Sequence, residues 1–287
     1  MKGSLRDVML ADRDDLRARH DGLFRASNGH RALVWGVALL LTGLALYGFW
    51  RLEFSFERLG SGSAQIAHIV GMMFPPTPGN KFPLFLHAMA ETLAIALLGT
   101  LVAAILAFPV GLLAAKNVVP NIFAHFAVRR VLDMIRGVDV LIWALIFINV
   151  VGLGPFAGIL AIAVSDFGTF GKLFSEAIET SDKRPVEGIM STGGSHLHAI
   201  RFALVPEVFP VIASQVLYYF ESNTRSATII GIVGAGGIGM HLTEQIRILE
   251  WDKVSFIILM ILVAVAMIDW VSAKLRLAVI GRAPVVA

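Results

Sequence analysis

Six apolar runs alternate with polar segments along the chain. The first run, 32–50, has no charged residue in 19 positions. As an α-helix it is about 28 Å long, which is enough to cross the hydrocarbon core of a bilayer. The other apolar runs cover approximately 84–115, 126–150, 156–178, 207–232 and 253–273. The pattern predicts an all-α membrane protein with six transmembrane helices.

Three polar segments flank or separate these runs and are expected to lie in water. Residues 1–31 form a tail with room for a short amphipathic helix, and residues 51–83 form a loop that contains the breaker PPTPGN. Residues 179–206 are too many for an ordinary connection between neighbouring helices. Their polar, amphipathic pattern predicts a helix–turn–helix that either covers itself or docks on a partner.

The amino-acid composition supports a membrane protein and excludes several chemistries. Only 16% of the residues are charged, against about 25% in an average soluble protein. The absence of cysteine excludes disulfides, cysteine-ligated zinc and cysteine nucleophiles. The net charge of +3 comes without a dense basic stretch, so nucleic-acid binding is not expected. The sequence has no catalytic motif, metal-ligand pattern or P-loop, which indicates neither an enzyme nor an ATPase.

Lysine and arginine are distributed unevenly between alternate polar segments, which predicts the orientation of the chain. Eighteen of them lie in the two terminal regions and in 116–138 and 172–206, whereas five lie in 51–83 and 247–253. Both termini and the 179–206 segment are therefore expected on the cytoplasmic side. The prediction is a multi-pass membrane protein.

Four charged residues occur in or beside the third apolar run. Arg129, Asp133 and Arg136 are spaced i, i+4 and i+7, so they share one helical face, and Asp139 follows closely. The spacing predicts a ladder of ion pairs at the cytoplasmic end of the span. This ladder is expected to face the helix bundle and not the lipid.

The fifth run contains Glu221 and Arg225, four residues apart and therefore on one helical face. Ionisable groups at this depth are costly unless they are paired or hydrated, and they often mark a pathway. Two interpretations remain open: a self-compensating pair that fixes helix packing, or a path in which Arg225 donates to an anion. Glu91 and Asp166 raise the same question, and a structural or gating role is favoured for Asp166. The candidate path residues are Glu221, Asn223, Thr224, Arg225 and Ser226.

The stretch GIVGAGGIGM has the spacing G-x-G-x-x-G at Gly234, Gly236 and Gly239, which is also found in dinucleotide-binding loops. Such a loop requires a strand before it and a βαβ unit around it. Here the glycines follow a predicted span and soon lead into another, so a membrane-embedded NAD oxidoreductase is the disfavoured alternative. The favoured interpretation is an extracytoplasmic glycine hinge formed by Gly234, Gly236, Gly237 and Gly239.

The polar segment at 183–206 resembles the EAA loop of ABC-importer permeases. Glu187-Gly188-Ile189 is followed by three residues, Gly193, nine residues and the sequence ALVP, which ends at Pro206. The spacing matches the family's pattern, whereas glycine and isoleucine replace its two alanines. In that family the loop forms the coupling helix that seats in a groove of the ATPase subunit. The resemblance implies that ATPase coupling involves Glu187, Gly188, Gly193, Arg201 and Pro206.

The resemblance extends over about 84–280 and is most similar to permeases of phosphonate importers. ETLAIALLGTLVAAILAFPVGLLAAKN resembles the first core helix of ABC-importer permeases, and SEAIETSDKRPVEGIMSTG and ESNTRSATIIGIVGAGGIG are most similar to the phosphonate permeases. The resemblance implies a location in the bacterial plasma membrane. It implies a type I ABC importer permease fold, a homodimer, two ATPase subunits that use ATP and Mg²⁺, and an extracytoplasmic binding protein for phosphonate or phosphate. The chain itself is expected to bind no cofactor. The solute is expected to be phosphonate, phosphite or phosphate; methionine is the alternative within the same class.

These observations together predict the organisation of the chain. A cytoplasmic tail is followed by a first transmembrane helix with an extracytoplasmic loop, then by the permease core with its coupling segment, and finally by a short tail. The predicted boundaries are 1–31, 32–83, 84–281 (with the coupling segment at 183–206) and 282–287.

Overall fold

A computed structural model describes residues 28–52 and 54–280, and these residues contain helices and turns but no strand. The chain divides into two compact units, and the division falls after His68. The sequence predictions for 1–27 and 281–287 lie outside the described residues. The all-α prediction is confirmed for the described part of the chain.

The first unit contains helix α1 (Asn28–Arg51) and most of helix α2 (Phe56–Met72). α1 coincides with the first predicted span, and its apolar side chains are exposed. α2 corrects the prediction of a loop over 51–83, because most of that segment is helical. Its sequence FERLGSGSAQIAHIVGM mixes small, polar and apolar residues, so it lacks the continuous apolar run by which α1 was found.

The second unit begins with a short 3₁₀ turn, Gly79–Lys81. A π-helical turn, Ile200–Leu204, connects the helix that ends at Ala199 to the helix that begins at Val205. The helices of this unit are α3 (Phe82–Ala114), α4 (Ile122–Arg136), α5 (Val140–Val151), α6 (Pro155–Thr180), α7 (Arg184–Ser191), α8 (His196–Ala199), α9 (Val205–Ile232), α10 (Ile238–Arg247) and α11 (Trp251–Ile280).

Five helices of the described part are long and apolar enough to cross a membrane, and a sixth span exists if α4 and α5 are taken together. The third predicted span, 126–150, was wrong as a single straight helix, since α4 and α5 meet at an angle of 82°. Asp139 causes part of this break, because its side chain accepts a hydrogen bond from the backbone N–H of Leu141 at 2.8 Å and so starts a new helix.

The core of the second unit lies where α3, α6 and α9 meet. Ala103 and Ala107 of α3 are fully buried, and they face Phe170 and Phe174 of α6, whose rings stack with centroids 5.2 Å apart. Val208 of α9 belongs to the same cluster. Small residues on one helix let the backbones approach closely, which is the usual way in which membrane helices pack.

Helix α10 lies where the sequence analysis expected only a connection between the fifth and sixth spans. Gly237 precedes it, and Leu249 ends the connection to α11 with a positive φ of 60°. Ile238 and Gln245 of α10 are fully buried. The helix therefore packs into the second unit and is not a solvated loop.

Candidate functional site

The coupling segment, residues 183–206, has the predicted helix–turn–helix form. α7 carries Pro185 in its first turn, and Gly193 ends the helical region with a φ of +84°, a conformation that side chains with a Cβ rarely adopt. Ser195 then caps α8 through its hydroxyl, and the backbone N–H of Ser195 donates to Nδ1 of His198. Pro206 lies in the first turn of α9. The structure therefore has a turn at Gly193 between two helical parts, which agrees with the helix–turn–helix predicted for this segment.

Some apolar side chains of the coupling segment pack against the rest of the protein, and others are exposed. Val186 and Ile200 pack against the core cluster, whereas Met190, Leu197 and Phe202 are 47%, 76% and 60% exposed. The predicted coupling residues Glu187, Gly188, Gly193, Arg201 and Pro206 are all exposed as well. An exposed apolar surface surrounded by polar side chains is typical of a contact site for another protein.

Two hydrogen bonds join parts of the chain that flank the base of the coupling segment. The backbone N–H of Asp182 donates to Glu207 at 2.6 Å, which joins the residues just before and just after the segment. The amide of Asn117 donates to the carbonyl of Ile178 at 2.7 Å. A cavity of about 200 Å³ lies under the segment, with Asn117 and Glu187 among its lining residues. The segment is therefore held at its base and accessible at its tip.

The charged residues of the third run form ion pairs with a neighbouring helix. Arg129 pairs with Glu179 of α6 at 2.9 Å, and Asp133 pairs with Lys172 of α6 at the same distance. The predicted ladder was therefore wrong in its partners. Arg129 and Asp133 face the bundle as expected, whereas Arg136 and Asp139 are exposed. The partners expected along α4 are replaced by opposite charges on α6. The sequence pattern of a single helix does not indicate such partners on another helix. Arg136 ends α4, and Asp139 serves as the helix cap described above.

Glu221 and Arg225 belong to a cluster of four charges between α9 and α11. Glu221 pairs with Arg225 at 3.4 Å and with Arg276 at 3.2 Å. Arg225 also pairs with Asp269 at 3.5 Å. The four formal charges cancel, so the cluster can join two membrane helices without leaving an uncompensated charge. This arrangement supports the packing interpretation for Glu221 and Arg225.

A second polar cluster is buried among three helices. The amide of Asn223 on α9 donates to the hydroxyl of Thr100 on α3 at 2.8 Å and to a carboxylate oxygen of Asp166 on α6. Asn223 and Asp166 are each 6% exposed. Asn223 therefore links the core helices. This contact gives Asp166 a structural partner, as the sequence analysis favoured.

The remaining candidate path residues lie on different sides of α9. Thr224 is buried, and its hydroxyl donates to the carbonyl of Phe220 at 3.0 Å. Ser226 is half-buried and donates to Ser222. The five residues therefore do not form one lining: Asn223 and Thr224 face the core, and Glu221 and Arg225 face α11.

The glycine segment forms a turn between α9 and α10, and side chains of α3 bind the backbone N–H groups of Gly237 and Ile238. The N–H of Gly237 donates to Oε1 of Glu91 at 2.9 Å, and that of Ile238 donates to the hydroxyl of Thr92 at 2.8 Å. In a dinucleotide-binding loop, these N–H groups at a helix N-terminus would be free to bind phosphate. Since side chains of α3 occupy them, and no strand precedes them in the described residues, the NAD interpretation is rejected.

The same turn is too closely packed for any residue larger than glycine. A Cβ on Gly236 would lie 2.6 Å from Oε1 of Glu91, and a Cβ on Gly239 would collide with the carbonyl oxygen of Thr228. Gly236 and Gly237 also have positive φ angles, of 82° and 71°. The structure therefore shows a tight, hydrogen-bonded turn, and hinge motion at these glycines stays a prediction.

The sequence analysis missed several partners of these residues. Thr92 and Thr100 are eight positions apart in an otherwise apolar run, so they lie near one helical face, and this spacing was a usable signal. Lys172 and Arg276 could be recognised as charges near span ends. Their partners depend on how helices that are distant in sequence pack together. The pattern within one helix does not contain that information.

Comparison with known proteins identifies the fold and the family. Residues 107–279 match the family model described as binding-protein-dependent transport system inner membrane component. The chain is 37% identical over 242 residues to the putative phosphite transport system permease protein HtxC of Stutzerimonas stutzeri, covering 84% of this chain and 86% of that one. It is 34% identical to the phosphate-import permease protein PhnE of Mycolicibacterium smegmatis, covering 84% of this chain and 46% of that one.

A solved structure shares the fold at low sequence identity. A chain of the MetNI methionine ABC transporter, in an inward-facing conformation, superimposes with a TM-score of 0.63 at 19% identity. The match covers 71% of this chain and 99% of that chain. The expected ABC importer permease fold is thereby confirmed. The chain belongs to the binding-protein-dependent transport system inner membrane components, the permease subunits of ABC importers.

Proposed function

We propose that the chain carries a phosphorus oxyanion (phosphonate, phosphite or phosphate) into the cytoplasm. The observation that supports this most strongly is the extent of its likeness to permeases of such systems. HtxC and the phosphite permease PtxC, both of Stutzerimonas stutzeri, are 37% and 34% identical to it over 84% and 86% of this chain. The D-methionine permease MetI of Haemophilus influenzae is 25% identical over 63%.

The coupling segment is proposed to dock on a separate ATPase subunit, which hydrolyses ATP with Mg²⁺. This chain has no P-loop of its own, so the energy for transport must come from a partner. The exposed Met190, Leu197 and Phe202 supply the apolar surface for that contact. Leu197 and Phe202 lie on α8 and the π-helical turn, which continue directly into α9, so a displacement of this part of the segment moves a membrane helix with it.

Two copies of the chain are proposed to form the membrane part of the transporter. One chain has one coupling segment, so two ATPase subunits require two segments. A related second permease in place of the second copy is the alternative. When ATP draws the ATPase subunits together, the two segments approach each other and the helices open towards the outside. An external binding protein then delivers the solute.

The coupling segment and both termini are proposed to lie in the cytoplasm. The distribution of lysine and arginine supports this, because positively charged residues are retained on the cytoplasmic side. Attaching a reporter that is active only in the cytoplasm to the C-terminus tests the orientation. An active reporter is expected, and an inactive reporter on an inserted chain would overturn it.

Reconstitution with the ATPase and binding protein of the same system tests the transport function. ATP-dependent uptake of phosphite or phosphonate into proteoliposomes is expected, with no uptake of methionine. Tight binding of methionine to the receptor protein, without binding of any oxyanion, would overturn the phosphorus assignment.

Two variants of the coupling segment test the proposed energy coupling. Gly193→Trp and Glu187→Arg are expected to abolish uptake while the chain still inserts in the membrane. Both residues are exposed, so the changes are expected to disturb docking of the ATPase more than they disturb folding of the chain. Unchanged uptake and unchanged ATPase association in both variants would show that the coupling role is assigned to the wrong segment.

A further inference from the structure

One side of α9 carries a continuous row of polar side chains, here called the polar stripe, formed by Ser214, Tyr218, Glu221, Ser222 and Arg225. At 100° per residue they fall within a wedge of about 100° around the helix axis. Tyr218 is 53% exposed and the side chain of Arg225 is 46% exposed. A row of polar groups that its own chain leaves partly open in a membrane span requires water or a polar partner.

The other side of α9 has the opposite character. Together with α3 it forms an apolar groove of about 750 Å³, to which Ala213 and Val216 of α9 contribute. Ala213 is adjacent to Ser214 in sequence, so the two residues lie at nearly the same depth. The contrast between the faces therefore belongs to the helix surface and not to its position along the membrane.

A cavity of about 390 Å³ opens on the stripe near its junction with α11. Six residues line it, and five of them carry side chains that form hydrogen bonds: Ser214, Gln215, Tyr218, Tyr219 and Arg276. The sixth is Leu173. Within the part of the chain that the structure describes, Oε1 of Gln215 is buried without a hydrogen-bond partner. The amide of Gln215 is a lining group that can both donate and accept hydrogen bonds.

Arg276 supplies the charge that an anion requires. Its guanidinium uses Nη2 to contact Glu221 at 3.2 Å, which leaves further N–H donors of the same group open to the cavity. Guanidinium groups bind oxyanions in a bidentate manner. Glu221 offsets the positive charge, so an anion is held weakly at this place. Weak binding suits a transport path, where a solute must leave as readily as it enters.

We propose that Gln215, Tyr218 and Arg276, together with the hydroxyl of Ser214, form a low-affinity site for a tetrahedral oxyanion on a water-filled path along the polar stripe. The identity of the anion rests on the proposed function, but the path does not. This site lies apart from Asn223 and Thr224, which are buried in the core.

The absence of cysteine from the chain makes the site directly testable by single cysteine substitutions. Ser214→Cys is compared with Ala213→Cys in the complete transporter, using charged methanethiosulfonate reagents. Ser214→Cys is expected to react at least about tenfold faster, because these reagents require water. The anionic reagent is expected to react faster than the cationic one. Equal, slow reaction at both positions would overturn the path.

Two further variants test the donors. Arg276→Gln is expected to remove the preference for the anionic reagent, whereas Lys274→Gln, whose side chain lies over Trp270, is expected to retain it. Phosphite is expected to slow labelling of Ser214→Cys. Adding Gln215→Leu is expected to abolish that protection, although this change leaves the Arg276 ion pair intact. Retention of the anionic preference in Arg276→Gln would overturn the role of the arginine.

The site and the transport function fail in distinguishable ways. If wild-type proteoliposomes take up phosphite but phosphite does not slow labelling of Ser214→Cys, the site is rejected and the proposed function stands. Phosphite uptake could instead be absent while the reagents still label Ser214→Cys and do not label Ala213→Cys. In that case the proposed function is rejected and the path stands.

Discussion

The two ends of helix α9 use glycine in opposite ways. At the coupling end, a Cβ added to Gly188 or Gly193 would meet no atom within 4 Å. At the other end, a Cβ added to Gly236 or Gly239 would collide with neighbouring atoms. At the coupling end, space is therefore open at Gly188 and Gly193, although a Cβ on Gly194 would meet Ile189 of the same segment. At the other end, other parts of the chain fill that space.

The difference extends to the polar and apolar side chains around these glycines. The coupling end displays Leu197 and Phe202 to its surroundings, whereas the glycine turn is held by Glu91 and Thr92. α9 joins the two ends over 28 residues, or about 42 Å. The comparison indicates one end shaped for a partner and one end anchored to its own bundle. A displacement applied at the first end would then tilt α9 about the second.

Gly239→Ala is expected to have the largest effect on stability. The new methyl group meets the carbonyl oxygen of Thr228, and overpacking of this kind costs about 3 kcal/mol. The matched change Gly188→Ala is expected to be neutral or stabilising, because it lies in an open helix and reduces backbone entropy in the unfolded chain. Thermal unfolding in detergent measures both variants, and similar melting temperatures would contradict the comparison.

Glu91→Ala is expected to have the next largest effect, a loss of about 2 kcal/mol, since the N–H of Gly237 loses its acceptor in a half-buried place. Glu91→Gln retains an acceptor oxygen and should recover most of the lost stability. The same unfolding assay separates the two variants. If the glutamine variant were as unstable as the alanine variant, the carboxylate would act through its charge and not through this hydrogen bond.

Gly193→Ala is expected to have the smallest effect of the three. Its φ of +84° imposes a backbone cost of about 1 kcal/mol on alanine, without any steric collision. The melting temperature should therefore fall only slightly. A fall as large as that of Gly239→Ala would show that the coupling end is as tightly packed as the glycine turn.

The long apolar spans and the form of the coupling segment could be predicted from the sequence because both depend on local patterns. The run at 207–232 differs from α9 by only two residues at its start. Gly193 and Pro206 mark the turn and the following helix through backbone rules that act within a few residues.

The other features depend on contacts between distant parts of the chain. The partner of Arg129 is Glu179, fifty residues away. The packing of α10 likewise depends on neighbouring helices. The glycine spacing at 234–239 misleads for the same reason: its meaning depends on Glu91, which one stretch of sequence does not contain.

The affinity of the ATPase subunit for the purified chain tests the central claim most directly. Leu197→Ser and Phe202→Ser remove exposed apolar side chains of the coupling segment without touching the core. Trp270→Ser is the matched control, since Trp270 is an equally exposed apolar residue on α11. Binding at least about tenfold weaker for the two coupling variants, with unchanged melting temperatures and normal binding of the control, is the predicted result. Wild-type affinity in both coupling variants would contradict the claim that this end of α9 is built for the ATPase.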